Sequence, residues 1–373
     1  MNFEIPFDNS LKETFKGSKV LITGNTGFKG SWLSAWLSKL GANCKGFSDL
    51  IPTNPSHYEL IKDSLEIDQV WGDIADFNHL QKVVETFKPD FIFHLAAQPL
   101  VRKSYQDPLS TFRINTIGML NVLESIRLSK NPIIGVLITS DKSYKNIEQI
   151  WGYKENDVLG GNDPYSGSKG SAELIINSYF KSFFKNSDEK RISVARAGNV
   201  IGGGDWSPDR IIPDAIKSWS NKKQLIIRSP NATRPWQHVL EPLSGYLRLA
   251  IELKNSKDNS GEAFNFGPQP DQNFTVSELL NSLSNMWDYS EWLDDSKSQN
   301  TFSEAGLLKL NCEKAAKILK WRAVLDFNEI ISMTSSWYKN YFDVSNVQKK
   351  EIANFTFGQI DKYTKIYEDR RIK

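Results

Sequence analysis

The stretch Lys19-Val-Leu-Ile-Thr-Gly-Asn-Thr-Gly-Phe-Lys-Gly30 decides the fold. Its first five residues are a β-rich apolar run, its glycines allow a tight turn, and the segment from Trp32 to Leu40 has helical spacing. A helix that begins directly after a glycine turn presents free backbone N–H groups and the positive end of its dipole to an anion. The stretch therefore predicts a strand–turn–helix unit that binds phosphate groups.

An acidic residue after the second predicted strand indicates which cofactor the loop holds. Residues 42–47 predict that strand, and Asp49 follows it, 19 residues after Gly30. A carboxylate here accepts a hydrogen bond from a ribose 2′-hydroxyl and repels a 2′-phosphate, which predicts NAD rather than NADP. A tight turn without a ligand would show the same glycine pattern. The loop residues predicted to contact the cofactor are Gly24, Asn25, Thr26, Gly27, Phe28 and Gly30.

The alternation of strand and helix signals continues through the first half of the chain. Further strands are predicted at residues 69–71, 91–95, 133–139 and 191–197, and helices at residues 77–87, 108–128 and 164–184. Continuous apolar runs separated by helix-length stretches are typical of parallel strands. The sequence therefore predicts an α/β fold with a Rossmann-type, doubly wound parallel sheet.

The second half is less regular and predicts a smaller, mixed α/β lobe. Residues 198–213 are rich in Gly, Asp and Pro and predict a loop, and helices are predicted near residues 241–253, 276–286 and 313–319. We divide the chain into a mainly NAD-binding domain (15–197), a mainly substrate-binding lobe (198–343) and a C-terminal tail (344–373). Segments of the lobe are free to return to the sheet in this division.

Composition excludes several classes of function. The 373 residues carry 46 Lys+Arg and 44 Asp+Glu, a formal charge of +2, which is too balanced for a nucleic-acid-binding surface. Two cysteines and four scattered histidines predict neither a disulfide framework nor a metal site. Because no apolar run reaches the roughly 18 residues of a membrane span, we expect a soluble, cytoplasmic protein that binds no membrane.

A tyrosine and a lysine on one helical face predict acid–base chemistry. Tyr165 and Lys169 are four residues apart, and the cation is expected to lower the pKa of the phenol so that it can accept a proton from a hydroxyl group. The pattern is weak alone, because Tyr58 and Lys62 repeat it in what we interpret as a surface helix. The copy at Tyr165 differs by its position, 25 residues after the fifth strand.

The fifth predicted strand ends in Thr139-Ser-Asp-Lys142, at the edge of a parallel sheet where ligands bind. Ser140 is placed to hydrogen-bond the oxygen that Tyr165 deprotonates, and Thr139 to contact the cofactor. Asp141 and Lys142 are a neighbouring acid and base, which suits elimination of water. A solvent-exposed turn would have the same composition.

Two other strand ends are candidates for cofactor contact. Asp73 and Ile74 follow the third strand and are placed near an adenine, although a capped turn would look the same. Small residues after the fourth strand permit close approach of the backbone to a cofactor, as they would in a packed core turn. The residues at this second position are Leu95, Ala96, Ala97 and Gln98.

Seven longer strings extend this pattern over most of the chain. They are T-G-N-T-G-F-K-G-S-W (23–32), H-L-A-A-Q-P-L-V-R (94–102), T-S-D-K (139–142), W-G-Y (151–153), D-P-Y-S-G-S-K (163–169), R-A-G-N-V-I-G-G-G-D-W (196–206) and A-T-R-P-W-Q-H-V-L-E-P-L-S-G-Y-L (232–247). Together they resemble the extended short-chain dehydrogenase/reductase family, and within it the nucleotide-sugar 4,6-dehydratases. The resemblance covers roughly residues 15–337.

The resemblance implies a reaction and the residues that perform it. Tyr165 and Lys169, assisted by Ser140, would oxidise the C4 hydroxyl of a hexose with NAD. The dTDP-glucose branch has a glutamate after the aspartate as its C5 base, whereas this sequence has Lys142, which resembles the CDP-glucose branch. Asp141 would then protonate the C6 hydroxyl. To act as a base, Lys142 must be neutral, which requires a pKa well below about 10.4.

The resemblance also implies substrate-side residues and an oligomer. Arg234 would pair with the substrate diphosphate, since a guanidinium suits phosphate oxygens. Family dimers pack two helices from each subunit, which predicts a homodimer or homotetramer through the helices that begin near Pro108 and Pro164. The substrate-side candidates, some of which would equally suit an ordinary core, are Arg102, Asn199, Trp206, Arg210, Arg234 and His238.

Two alternatives to a dehydratase remain at this point. A nucleotide-sugar 4-epimerase or decarboxylase of the same fold needs the Tyr–Lys pair but not Asp141 and Lys142. A non-catalytic NAD-sensing protein would be expected to lack Ser140, Tyr165 or Lys169. Because all five side chains are present, the sequence favours a hydro-lyase. The resemblance alone implies that its substrate is CDP-glucose and its product CDP-4-keto-6-deoxyglucose.

Overall fold

The computed structural model describes residues 7–295, 307–343 and 349–371. Its strands are β1 (Lys19–Thr23), β2 (Asn43–Ser48), β3 (Ile67–Trp71), β4 (Phe91–His94), β5 (Ile133–Ile138), β6 (Lys190–Ala197), β7 (Val200–Ile201), β8 (Leu225–Ile227), β9 (Thr233–Arg234), β10 (Gln237–His238), β11 (Ala263–Phe266), β12 (Phe274–Thr275) and β13 (Trp292–Asp294). Its α-helices are α1 (Phe7–Phe15), α2 (Phe28–Lys39), α3 (His57–Ile61), α4 (Phe77–Phe87), α5 (Val101–Gln106), α6 (Pro108–Phe112), α7 (Gly118–Leu128), α8 (Pro164–Tyr179), α9 (Ile211–Ser220), α10 (Leu240–Asn255), α11 (Val276–Ser284), α12 (Glu313–Leu319), α13 (Phe327–Asp343) and α14 (Lys349–Arg370). Within the predicted C-terminal tail, residues 344–348 and 372–373 lie outside the described residues.

Seven strands form one sheet in the order β11-β6-β5-β4-β1-β2-β3. Every adjacent pair in it is parallel. The apolar run of β1 is buried on both faces, because Val20 and Ile22 belong to one hydrophobic core and Leu21 to the other. The predicted Rossmann-type α/β fold is thus confirmed. The strand order reverses between β1 and β4, which places the ligand crevice at the carboxyl ends of these strands.

Strand β11 is the part of the sheet that the sequence pattern did not predict. Ala263–Phe266 returns from the second half of the chain and pairs in parallel with β6, from Ala263 opposite Val194 to Phe266 opposite Ala197. Its four residues are too short a run to separate a strand from any other apolar segment. Local spacing in the sequence therefore could not predict that this segment pairs with β6.

Several predicted boundaries change in the structure. Helix α2 begins at Phe28 rather than at Trp32. The sequence pattern placed its start too late because Gly30 and the polar Lys29 interrupt the apolar spacing of the first turn. The predicted helix over residues 108–128 is present, but residues 113–117 form a π-helical turn within it. The helix predicted over residues 164–184 likewise ends in a π-helical turn at residues 180–184.

Two predictions about irregular and surface segments were wrong. The predicted loop at residues 198–213 contains β7, which pairs with β10, and it ends where α9 begins at Ile211. Tyr58 is buried rather than on a surface helix, and its hydroxyl donates to Gln69 Oε1 at 3.1 Å. Helix α14, from the far end of the chain, packs against α3 and covers it.

Helix α14 closes the fold against α1, α2, α3 and α13. Its Tyr363 is fully buried and donates to Glu241 Oε2 on α10 at 2.7 Å. Its Arg370 pairs with Glu329 on α13 at 2.7 Å. The described part of the C-terminal tail is therefore a docked helix. Among the residues that the structure describes, no helix combines the length and the apolar character needed to cross a membrane.

Candidate active site

The glycine loop lies between β1 and α2, and its glycines have different roles. Gly24 has a φ of +73°, and a Cβ there would lie 2.5 Å from the backbone nitrogen of Ala96. A Cβ at Gly30 would lie 2.1 Å from the carbonyl oxygen of Gly24, so both positions require glycine for close packing. At Gly27 the nearest atom to such a Cβ is 3.3 Å away. Gly27 is therefore the least crowded of these three glycines.

Polar side chains hold the loop over the neighbouring strands. Asn25 is fully buried, donates to Gln69 Oε1 at 2.6 Å and accepts a hydrogen bond from Ser48 Oγ at 2.8 Å. Thr26 Oγ1 donates to the carbonyl oxygen of Leu50 at 2.7 Å. The side chains of Asn25 and Thr26 therefore fix the loop. Helix α2 has Gly27 as its N-cap residue and no side-chain cap, so the backbone N–H groups of its first turn are available to phosphate oxygens.

The ends of β2 and β3 place their acidic residues beside the loop. Asp49 follows β2 directly and is exposed, as a residue that meets a ribose hydroxyl would be. Asp73 lies after β3 and pairs with Arg113 at 2.6 Å, while Ile74 is buried against Gly118. The cradle, the free N–H groups and the acid after β2 together fit a dinucleotide such as NAD.

The segment after β4 is locked by an amide pair that the sequence did not reveal. The backbone N–H of Gln98 donates to Asn115 Oδ1 at 2.8 Å, and Asn115 Nδ2 donates back to the carbonyl oxygen of Gln98 at 3.1 Å. Leu95, Ala96 and Ala97 are partly exposed between this lock and Gly24. The predicted close approach of this backbone to the glycine loop is present.

The turn after β5 concentrates polar groups in a buried position. Asp141 is 4% exposed, and its Oδ1 accepts hydrogen bonds from Ser140 Oγ and from the backbone N–H of Lys142, both at 2.9 Å. Asn199 Nδ2 lies 3.4 Å from Asp141 Oδ2. Lys142 itself is half-buried. Asp141 is therefore a fixed carboxyl group rather than a residue of a solvated turn.

Tyr165 lies in the first turn of α8, directly beside this turn. Asp163 caps the helix by accepting from the backbone N–H of Ser166 at 3.0 Å. Burial raises the pKa of Tyr165 to about 12, although its hydrogen bond with Ser140 acts in the opposite direction. The expected lowering by a lysine is thus not what this structure shows, because desolvation outweighs the favourable contacts. Tyr165 and Ser140 are nevertheless brought together as predicted.

The lysine partner of Tyr165, which is buried, lies near two half-buried cations, Lys29 and Arg210. Burial, with repulsion from Lys29, lowers the pKa of Lys169 to about 7. Burial, with repulsion from Arg210, lowers the pKa of Lys29 to about 8, while attraction to Asp141 acts against both. Sequence reasoning missed Lys29, because it was treated only as a residue between two glycines. Its place in the first turn of a helix that points at the crevice was the available signal.

Two substrate-side candidates, Arg210 and Arg102, pair with acidic residues of the loop after β6. Arg210 pairs with Asp205 at 2.7 Å and contributes a favourable charge to the phenolate form of Tyr165. Arg102 pairs with Asp209 at 2.6 Å across the same loop, and both side chains are about two-fifths exposed, at 41% and 42%. The loop after β6 is thereby held toward α5.

The other substrate-side candidates lie in different surroundings. Trp206 is 3% exposed and its ring packs against Tyr338 and Tyr341. His238 is fully buried, and burial lowers its pKa to about 3, so it is neutral. Arg234 is half-buried on β9, where its Nη1 donates to a backbone carbonyl oxygen at 2.9 Å. The structure brings Asn199 and Arg210 to the catalytic turn, but it encloses Trp206 and His238 in the core.

A sequence profile described as GDP-mannose 4,6 dehydratase matches residues 21–334 of the chain. The chain belongs to this family. A curated member of similar sequence is a CDP-glucose 4,6-dehydratase from Salmonella typhimurium (strain LT2), 43% identical over 352 residues, which are 92% of this chain and 98% of the relative. The match therefore includes the glycine loop, the turn after β5 and most of the second half of the chain.

Solved structures show the same fold. An epimerase from Methanothermobacter thermautotrophicus superposes with a TM-score of 0.77 at 23% identity, over 94% of this chain and 99% of the other. A dTDP-glucose 4,6-dehydratase from Bacillus anthracis, solved in complex with NAD, gives a TM-score of 0.71 at 22% identity, over 90% and 100% of the two chains. Both confirm the architecture on which this dehydratase-family chain builds its site.

The geometry of this family member supplies two acid–base pairs at one end of the sheet. Tyr165 and Ser140 form one, and Asp141 and Lys142 form the other, on the four residues after β5 and the first turn of α8. Among the described residues, no group of three or more His, Cys, Asp or Glu side chains could hold a metal ion.

Proposed function

We propose that this chain is an NAD-dependent hydro-lyase that converts CDP-glucose to CDP-4-keto-6-deoxyglucose. The observation that carries the proposal is the buried Asp141 carboxyl beside Lys142, held within hydrogen-bond contact of Ser140, which itself contacts Tyr165. Oxidation at C4 needs only Tyr165 and Ser140, so a second acid–base pair at the same place supports elimination. The curated relative named as a CDP-glucose 4,6-dehydratase supports the choice of reaction and of base.

The first step is deprotonation of the C4 hydroxyl. Tyr165 accepts this proton as a phenolate, with the Ser140 hydroxyl beside it. The cation of Lys169, one helical turn further on α8, favours the phenolate once the crevice is filled. A bound NAD would supply the acceptor for the hydride from C4 and the donor for its return at C6.

The second step is the loss of water across C5 and C6. The C4 ketone acidifies the C5 proton, which Lys142 removes while the C5–C6 double bond forms. Asp141 gives a proton to the departing C6 hydroxyl, which leaves as water. The proton that Tyr165 took from O4 replaces, through solvent, the one that Asp141 gave, so the sugar loses one proton from O4 and one hydroxide from C6. Protonation of C5 by Lys142, when the hydride returns at C6, restores the lysine.

The proposal is tested by incubating the purified protein separately with CDP-, dTDP-, UDP- and GDP-glucose and analysing the products by mass spectrometry. We expect loss of one water from CDP-glucose and no net reduction of the cofactor. Loss of water from another nucleotide would keep the mechanism and reject the cytidine assignment. Epimerised glucose without water loss would reject the dehydratase and favour a 4-epimerase. Asp141→Asn is the matched variant, expected to lose elimination more than C4 oxidation.

We also propose that the chain pairs with a second copy through helices 108–128 and 164–184. These adjacent helices expose a set of large apolar side chains, with Leu109 81% and Leu174 62% exposed. An exposed apolar area of this kind on neighbouring helices suits a self-complementary interface. Light scattering of the wild type and of Leu109→Glu tests it, since we expect a dimer or tetramer that the glutamate weakens. A monomeric wild type would contradict it.

A cytoplasmic location is part of the same proposal. Cys44 and Cys312 are both unpaired in the structure, which suits a reducing compartment. Fractionation of the native host, with detection of the chain by antibody, tests this location. Recovery of the chain outside the cytoplasmic fraction would contradict it.

A further inference from the structure

The carboxyl group of Asp141 packs directly on the backbone of Gly198, which follows β6. A methyl group built at Gly198 would lie 1.9 Å from Asp141 Oδ2 and 2.1 Å from its Cγ. These separations are far below van der Waals contact, so any side chain at residue 198 would occupy the place of the carboxyl group. The backbone of Gly198 is not left-handed, and the need for glycine therefore comes from Asp141.

The backbone at Gly198 cannot retreat to make room. Gln237 is fully buried, and its Nε2 donates to the carbonyl oxygens of Gly198 and Phe266, both at 2.9 Å. The backbone N–H of Gln237 donates to the carbonyl oxygen of Asn199 at 3.1 Å. These bonds attach the two residues to β10 and to the end of β11. An added side chain would therefore displace Asp141 rather than its own backbone.

Asn199 fixes the other oxygen of the same carboxyl group. Its φ of 53° is left-handed, a conformation that asparagine tolerates better than most residues. It places Nδ2 3.4 Å from Asp141 Oδ2, while Ser140 and Lys142 donate to Oδ1. The carboxyl group is thus bounded by donors on one side and by a bare Cα on the other.

We propose that Gly198 and Asn199 are positioning residues for Asp141 and aim its carboxyl group at the leaving C6 hydroxyl. The inference rests on the proposed dehydration, because Gly198 matters to the reaction only through Asp141, which is proposed to protonate the C6 hydroxyl. The reaction accordingly depends on a glycine that has no side chain of its own to contribute. Elimination, and not C4 oxidation, is the step that this arrangement controls.

The test compares Gly198→Ala with Gly358→Ala, whose added methyl group meets no atom within 4 Å. In single turnovers with CDP-glucose, mass spectrometry separates the C4-oxidised sugar from the dehydrated product. For Gly198→Ala we expect water loss to fall about 100-fold or more, the scale of a lost general acid, with C4 oxidation reduced far less. Water loss at the wild-type rate, or an equal fall in both steps, would overturn the proposal. Gly358→Ala should behave as the wild type.

A second comparison does not depend on the reaction. Gly198→Ala should lower the melting temperature, and Asp141→Ala in the same chain should recover most of that loss, because the methyl group then has room. Additive losses would show that the overlap lies elsewhere and would overturn the proposal. If the wild type removes water from no nucleotide sugar, the proposed function fails. The melting temperatures of the single and double variants would still decide whether a side chain at residue 198 overlaps Asp141.

A third variant serves if Gly198→Ala does not fold. Asn199→Gly keeps the left-handed backbone accessible and removes the amide that faces Asp141 Oδ2. We expect water loss to fall several-fold more than C4 oxidation. Unchanged water loss in this variant would overturn the role of Asn199 in the proposal.

Discussion

Thr139 and Glu173 are joined by a hydrogen bond of 2.6 Å that ties the end of β5 to helix α8. Glu173 also accepts from Arg196 Nε at 2.7 Å and from Arg196 Nη2 at 2.6 Å, so one carboxylate holds two strands. The side chains of Glu173 and Arg196 are only 3% and 4% exposed. The buried ion pair of Glu173 and Arg196 therefore helps to fix the turn that carries Asp141 relative to the helix that carries Tyr165.

Glu173→Gln should be strongly destabilising. The amide keeps one acceptor oxygen but turns an NH2 group toward Arg196, whose buried charge is then uncompensated. Loss of one partner of a buried pair costs about 3–5 kcal/mol, and urea unfolding measures it. Asp188→Asn is the control, because its pair with Lys257 is exposed and should contribute nothing measurable. Equal unfolding midpoints for the two variants would contradict the role of Glu173.

Tyr165→Phe should nearly abolish turnover without unfolding the protein. The variant removes the proton acceptor for the C4 hydroxyl, a contribution of roughly 10²–10⁴-fold to kcat. The ring remains, so the melting temperature and the amount of bound NAD should match those of the wild type. Tyr289→Phe, which removes an exposed contact to Glu291, is the control. Turnover within a few-fold of the wild type would exclude Tyr165 as the base.

The sheet and the Tyr165–Lys169 pair could be predicted because their signals are local. Apolar runs such as Phe91–His94 reveal a buried strand by themselves, and a four-residue spacing reveals a helical face. Because parallel strands share one carboxyl edge, the position of Asp141 after β5 was enough to place it near Tyr165.

The remaining features depend on partners that are distant in the sequence. Gly198 is required by Asp141, 57 residues earlier, and it is held by Gln237. The pKa of Lys29 is lowered by burial and by Arg210, which no spacing in the glycine loop could indicate. Helix α3, which carries Tyr58, packs against helix α14 from the other end of the chain. Such contacts are set by tertiary packing rather than by periodicity.

Gly27→Ala and Gly30→Ala should separate cofactor binding from folding. A methyl group at Gly30 would lie 2.1 Å from Gly24 O, so Gly30→Ala should yield little folded protein. At Gly27 the nearest atom is 3.3 Å away, and the fold should lose about 1 kcal/mol or less. The same methyl group would enter the phosphate cradle, so purified Gly27→Ala should retain much less NAD. Wild-type NAD content in Gly27→Ala would contradict the placement of the cofactor.

Lys29→Met should move the pH dependence of turnover to higher pH. Repulsion from Lys29 contributes to lowering the pKa of Lys169 to about 7, so removing that charge lets Lys169 stay protonated to higher pH. Because the cation of Lys169 favours the phenolate of Tyr165, the alkaline fall of kcat should occur later. Lys39→Met, on the exposed end of the same helix, should leave the profile unchanged. An unmoved or acid-shifted profile for Lys29→Met would contradict the coupling.

Glu241 carries a different pH dependence, in stability rather than in catalysis. Its Oε1 accepts from the backbone N–H groups of Val324 at 2.9 Å and Leu325 at 2.7 Å, and its Oε2 faces the hydroxyl of Tyr363 on α14. Burial raises the pKa of Glu241 from 4.5 to about 7, and the charge of Glu329 acts in the same direction. The folded chain therefore keeps a proton on Glu241 that the unfolded chain releases.

Glu241→Gln should remove this dependence while keeping the packing. With a folded-state pKa above the unfolded value, the stabilisation is complete below pH 4.5 and is lost as the pH rises through about 7, a change of about 3 kcal/mol. Glutamine retains an acceptor for both backbone N–H groups and a donor for Tyr363, but it does not titrate. Urea unfolding from acid to neutral pH should show wild-type stability falling relative to that of the variant. Parallel curves over this range would mean that Glu241 is ionised in the folded chain and that α14 docks on a charged carboxylate.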